Sequence, residues 1–189
     1  GSTKECMECG EGREGRDRQS LDLPAEDMVK EVFAVNPKTI VVLVSSFPYA
    51  IGWSQANAPA IMHITNAAQE QGTAIADVLF GDYNPAGRLV QTWPKSLDQL
   101  PRMMDYDITH GRTYMYFKGE PLYPFGFGLS YTKFEYSNVR LNSEILPKNG
   151  VIVVTADVKN VGGRDGDEVT QLYVKFPESR VTRPIKALK

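Results

Sequence analysis

The sequence predicts a layered α/β fold that gives way, after residue 133, to an all-β segment. Three observations carry that reading: continuous branched apolar runs at Thr39–Val44 and Ala60–Thr65, amphipathic helix patterns beside them, and a switch to strict apolar/polar alternation over Val151–Lys159. Runs of the first kind suit strands covered on both faces, and their alternation with helices argues for a sheet with helices packed on it.

The first helix is predicted over Leu23–Val35. Pro24 sits in its first turn beside acidic Glu26 and Asp27, while Met28, Val29, Val32 and Phe33 form a stripe expected to be buried, and Asn36-Pro37 closes it. Strands follow at Thr39–Val44 and Ala60–Thr65. The next helix, Thr73–Phe80, places Ile75, Val78 and Leu79 on one face, and Gly81 stands where a left-handed residue would end it. Asp82, Asn84, Pro85 and Gly87 supply turn chemistry, after which Arg88–Trp93 reads as a strand stopped by Pro94. Beyond Phe134 the periodicity changes. Ile152, Val154, Ala156 and Val158 share one face of a half-buried strand, Asn160–Gly166 is a turn, and Val169–Phe176 is a further strand with Thr170, Leu172, Val174 and Phe176 in register.

Composition narrows the function. With 42% hydrophobic and 23% charged residues the chain has the make-up of a globular protein. Its net charge of −2 offers no basic field to nucleic acid or anionic lipid. No apolar stretch approaches the roughly 18 residues of a membrane span. Gly1-Ser2 reads as a processing scar, so the missing leader says nothing about compartment. Cys6 and Cys9 form a lone C-x-x-C whose ordinary reading is two free thiols, since zinc wants a second pair or nearby histidines and the chain has only His63 and His110. No metal or organic cofactor is expected. His63, inside an apolar strand, reads as a hydrogen-bonded core residue, and the segments Met103–Asp107 and His110–Tyr114 read as a packed loop.

Two runs are too closely specified to be generic: T-A-I-A-D-V-L-F-G-D-Y-N-P-A-G-R-L-V-Q-T-W-P at 73–94 and Y-P-F-G-F-G-L-S-Y-T at 123–132. In this order they closely resemble the carboxyl-terminal region of glycoside hydrolase family three, and the resemblance runs from Gly10 nearly to the end. It implies a partial α/β sandwich domain over 1–133 and the first strands of a fibronectin type III-like sandwich over 134–189. It also implies a retaining exo-β-glycosidase that needs two carboxyl groups, a nucleophile and an acid/base. The nucleophilic Asp of such enzymes lies on an amino-terminal barrel with no counterpart here, so the chain by itself is expected to be inactive and to require the barrel-bearing segment as its partner.

The acid/base is a Glu on a loop that matches Gly10–Arg18, G-E-G-R-E-G-R-D-R, where flanking glycines permit a projecting backbone. Glu14 is the favoured acid, with Glu11 the alternative; Asp17 and Arg18 read as an ion pair anchoring the loop. Mixed-charge segments are otherwise usually solvated surface. Ser45-Ser46-Phe47-Pro48-Tyr49 follows a strand carboxyl end, where ligands bind in open α/β sheets. Tyr49 or Trp53 would there stack on the aglycone sugar, against core packing as the commoner role.

Segments such as S-S-F-P-Y-A-I and H-G-R-T-Y-M-Y-F-K-G-E-P-L-Y-P-F-G look like the β-xylosidase branch of the family, with β-glucosidase the alternative. The expected substrate is an oligosaccharide or aryl glycoside and the expected compartment secreted or periplasmic. A reading of a different class makes the chain, as it stands, a non-catalytic packing or sugar-binding module. Open strand edges would then pair with other polypeptide, from the same parent or from a second copy in a homo-oligomer.

Overall fold

A computed structural model describes residues 20–189. They form two compact units that interleave along the chain, one from residues up to 71 with 89–127 and 171–189, the other from 72–88 with 128–170.

The first unit is built on β1 (Ile40–Val44) and β2 (Ala60–Ile64), paired in parallel with Ile40 opposite Ala60 and Val44 opposite Ile64. Both strands fall where branched apolar runs predict them. Only one face of β1 is deeply covered, however: Val41 and Leu43 are buried while Ile40 and Val44 are exposed. Leu43, Ile51 and Trp93 form the core, against which Leu23, Tyr49, Ile61, Leu89, Leu122 and Tyr123 pack.

Helix α1 (Glu26–Val35) starts three residues later than predicted, and α2 (Gly52–Asn57) links β1 to β2. The expected stripe is only half right. Phe33 meets Trp53 of α2 edge-on at 5.6 Å, and the Glu26 carboxylate accepts from the Ser54 backbone N–H and hydroxyl at 3.0 and 2.9 Å. This contact turns the face carrying Glu26, Val29 and Phe33 inward, which leaves Met28 and Val32 exposed.

The predicted strand Arg88–Trp93 is not continuous. Its ends are bonded: Leu89 N–H to the Phe127 carbonyl at 2.8 Å, and Trp93 N–H to the Tyr123 carbonyl at 2.9 Å. Between them the partner segment offers Pro124, which has no N–H, and it bends at Gly126, φ +80°, whose own N–H closes on the Leu89 carbonyl at 2.7 Å. The predicted strand Val169–Phe176 likewise shrinks to β5 (Tyr173–Val174), because its antiparallel partner β6 spans only Ala187–Leu188. This pair docks on the short helix α4 (Thr113–Tyr116) through the Ile185 N–H to Met115 carbonyl bond of 2.7 Å, with Tyr114 stacked on Phe125 at 4.2 Å.

The second unit holds most of α3 (Gln71–Phe80) and an antiparallel pair, β3 (Phe134–Leu141) with β4 (Val154–Asn160). Gly81, φ +85°, ends α3 as predicted, its N–H bonding the Val78 carbonyl at 3.2 Å while the Tyr83 N–H reaches Asp77 at 3.0 Å. β4 begins three residues later than the alternation suggests, and along its apolar face Ile152 and Val154 are half-buried while Val158 is exposed.

The N-P-A-G-R segment is a structural clasp. Asn84 Oδ1 accepts from the Ser130 hydroxyl and the Tyr131 N–H at 3.0 and 2.8 Å, and its Nδ2 donates to the Asp165 carbonyl at 2.9 Å. Arg88 pairs with Glu168 at 2.9 Å, both side chains largely covered, and Glu168 also accepts from Tyr136 at 2.7 Å. These bonds tie three sequence-distant stretches and explain why the motif demands Asn and Arg rather than generic turn residues.

Candidate functional site

Glu14, Glu11, Asp17, Arg18, Cys6 and Cys9 lie outside the described residues. What the structure does describe is the seat from which the chain leaves that loop. The Ala50 N–H donates to the Leu21 carbonyl at 2.7 Å, Asp22 bridges Ala50 in parallel, and Leu23 packs on the core. The chain following the candidate acid/base loop is therefore fastened to the turn just beyond the carboxyl end of β1.

That turn is itself heavily bonded. The Ser45 N–H extends the parallel ladder to the Ile64 carbonyl at 3.0 Å, and its buried hydroxyl donates to the Phe47 carbonyl at 2.9 Å. His63 on β2 places Nε2 at 3.1 Å from the Ser45 carbonyl, an acceptor only, so Nε2 carries the proton; the Ser45 hydroxyl oxygen lies at 3.3 Å from the same nitrogen. Asn66 donates to the Ser46 hydroxyl at 2.9 Å. The His63 ring stands edge-on to Trp93 at 5.0 Å.

Tyr49 and Trp53 are not brought together as one platform. Tyr49 is half-buried, packs against the core and tilts against Phe47 at 5.3 Å, whereas Trp53 is half-buried in the contact between α1 and α2. Both positions resemble packing roles more than a stacking surface.

The 103–112 stretch is more ordered than a loop reading suggests. Arg112 donates from Nε to the Asp105 carbonyl at 2.6 Å and from Nη2 to the Arg102 carbonyl at 2.7 Å. Asp107 caps a short 3-10 turn at Ile108–His110 by accepting from the Thr109 N–H at 2.9 Å. His110 Nδ1 lies 2.7 Å from the Asp105 carboxylate. Apart from Asp107, a good capping residue, the local sequence carries little signal for these turns.

The two histidines are pushed in opposite directions. Burial lowers His63 from its ordinary 6.5, while the hydrogen bond and charge of Asp105, helped by Asp107, raise His110 above it. Histidine NMR titration is expected to show His110 the last to lose its proton as pH rises and His63 the first. By linkage, the His63 contribution to stability fades as pH falls below about 6.5, where the unfolded chain takes up a proton more readily. The His110 contribution fades instead as pH rises through its elevated value. A His63 midpoint above that of His110 would contradict the geometry.

A shallow cavity of about 440 Å³ is lined by Lys175, Phe176, Pro177, Glu178, Ser179 and Arg183, with the Arg183 guanidinium 5.2 Å from the Phe176 ring centre. Among the described residues no cluster of His, Cys, Asp and Glu is arranged to hold a metal ion, and no helix is long and apolar enough to cross a membrane.

The pattern of the Glycosyl hydrolase family 3 C-terminal domain matches residues 2–131. The chain belongs to glycosyl hydrolase family 3. Relatives of this family 3 chain include a beta-glucosidase of Rhizobium radiobacter, 39% identical over 94% of this chain and 24% of its own length. A beta-xylosidase of Formosa agariphila is 36% identical over 96% of this chain and 25% of its own. Among solved structures, the beta-glucosidase of Kluyveromyces marxianus in complex with glucose shares 35% identity at TM-score 0.81, over 93% of this chain and 22% of that one. The GH3 beta-glucosidase of Bifidobacterium adolescentis shares 32% at TM-score 0.82, over 94% and 28%. The family 3 chain thus spans about a quarter of the length of these relatives, and its α/β sandwich fold is that of their C-terminal domains.

Proposed function

We propose that this chain supplies the C-terminal portion of a retaining exo-β-glycosidase that removes terminal β-linked sugars from oligosaccharides or aryl glycosides. The observation that carries the reading is the family match over residues 2–131, together with relatives named beta-glucosidase and beta-xylosidase at 39% and 36% identity. Glu14 is the proton donor to the departing oxygen, with Glu11 the alternative, and the nucleophile comes from a barrel elsewhere in the complete enzyme. The anchoring of Leu21 and Asp22 to Ala50 supports a loop presented from a fixed seat.

The boundary proposed near residue 133 has two supports, the end of the family match at 131 and the start of β3 at Phe134. The β segment after it is read as the opening of a fibronectin type III-like domain. A compartment outside the cytoplasm is proposed from a relative named periplasmic beta-glucosidase, of Salmonella typhimurium, at 36% identity.

The sugar is the finer question. Motif wording points to xylosides, whereas beta-glucosidase is the commoner name among the relatives, so glucoside and xyloside are the two substrates to compare. With the complete enzyme, kcat/KM on nitrophenyl β-glucoside and β-xyloside is expected in the range of roughly 10⁴–10⁸ M⁻¹s⁻¹ for the true substrate class. Retention of anomeric configuration is read by NMR of the first product. Absence of turnover on both, or an inverted product, refutes the proposal and leaves the packing or sugar-binding module.

A further inference from the structure

β1 and β2 run parallel, so their carboxyl ends lie side by side and open into two turns, residues 45–50 and 65–70. In an open α/β sheet that end of the strands is where ligands bind. Residues 65–70 are all exposed, as are Ser46 and Phe47, so these side chains make the surface there.

Both turns are braced from within. The Ser45 hydroxyl closes on the Phe47 carbonyl at 2.9 Å, and the Gln71 side chain accepts from the Ala67 N–H at 3.1 Å. A third bond joins them: Asn66 Nδ2 donates to the Ser46 hydroxyl oxygen at 2.9 Å. That bond uses one N–H of the amide and one lone pair of the hydroxyl. Asn66 keeps its side-chain carbonyl and a second N–H, and Ser46 keeps its O–H, none of them partnered among the described residues. Donors and an acceptor are thus held at fixed spacing before any ligand arrives, which lowers the cost of binding one.

The chemistry of the turns selects the ligand. Their sequences, S-S-F-P-Y-A and T-N-A-A-Q-E, contain no lysine or arginine and a single carboxylate, Glu70, so they offer a phosphate or other anion no counter-charge. Hydroxyls and amides beside an aromatic ring, that of the 41% exposed Phe47, suit instead a neutral polyhydroxyl molecule. The hydroxyls of such a ligand both donate and accept, while its C–H faces pack on apolar surface.

We infer that Ser46 and Asn66 form a binding subsite for a neutral saccharide residue at the carboxyl ends of β1 and β2. The saccharide class rests on the proposed function; the subsite itself is built from residues other than the proton donor assigned there.

The test uses the complete enzyme and compares kcat/KM on a β-linked tetrasaccharide with kcat/KM on the nitrophenyl glycoside of the same sugar. Asn66→Ala and Ser46→Ala are each expected to lower the ratio of the two about 3- to 10-fold, through KM, the loss that removal of a hydrogen bond to the ligand carries. Ser46→Thr, which keeps a hydroxyl, should recover most of it. Both side chains are exposed, so the fold is not at risk.

An unchanged ratio in either alanine variant overturns the subsite, and so does an equal loss on both substrates, which is what a merely structural role produces. If the wild-type enzyme turns over neither substrate, the proposed function fails on its own account, and saturation-transfer NMR with the same tetrasaccharide decides the subsite. Binding weakened by both alanine substitutions then upholds it; binding that is absent, or equal in wild type and variants, overturns it.

Discussion

In the complete enzyme, Glu14→Ala is expected to slow hydrolysis of glycosides with poor leaving groups by about 10²–10⁴-fold, the usual contribution of a positioned general acid. Activated aryl glycosides should form the glycosyl-enzyme almost unimpaired, because their departing oxygen needs no proton. Azide should then speed turnover by attacking that intermediate, giving a β-glycosyl azide whose configuration reports retention. Arg13, Arg16 and Arg18 flank the carboxyl in sequence and would pull its pKa down, whereas an acid must stay protonated. The opposing push has to come from the nucleophile's charge and from burial in the complete active site. The alkaline limb of the pH profile, where the acid loses its proton, therefore belongs to the assembled enzyme. If Glu14→Ala behaves as wild type and Glu11→Ala shows this pattern, the role passes to Glu11.

Local chemistry is readable wherever it decides the outcome. Gly81 can be named as a helix terminator because a residue with φ of +85° is nearly always glycine, and the N-P-A-G-R turn because Asn, Pro and Gly each have a reason to be there. α3 nevertheless begins at Gln71, two residues before the apolar pattern does, and the Gln71 side chain accepts from the Ala67 N–H at 3.1 Å just ahead of it. Strands β1 and β2 are legible from unbroken branched runs.

What fails is whatever depends on a distant partner. Nothing within Arg88–Trp93 shows that Pro124 and Gly126 will sit opposite it, and nothing within Val169–Phe176 shows that its ladder will be the short one with Ala187 and Leu188, extended by the Lys189 N–H to the Leu172 carbonyl. The stripe on α1 misleads for a related reason. Periodicity gives a face but not its rotation, and the Glu26 bond to Ser54 sets the rotation. Around the turn after β1, sequence predicts a hydrogen-bonded core His63, but not that its partner is the Ser45 carbonyl.

Trp93→Ala is expected to cost about 3–5 kcal/mol, the range for deleting a buried aromatic from a packed core. Trp93 is only 2% exposed, touches Leu43 and Ile51 in the core, and meets His63 and Tyr123 edge-on at 5.0 and 5.9 Å. It also carries the 93–123 bridge that sews the irregular middle of the chain to the core. Hydrogen exchange suits the measurement, since it reports local opening inside a larger protein where a single unfolding midpoint is ill-defined. The β1 and β2 amides should exchange at least about 100-fold faster, since each 1.4 kcal/mol is roughly tenfold in the opening equilibrium. Trp53→Ala is the comparison: the same ring is removed from a half-buried contact with Phe33, outside the core cluster, so those amides should change far less. Equal effects of the two substitutions would mean that the contact between α1 and α2, rather than the layer beneath β1, holds this unit together.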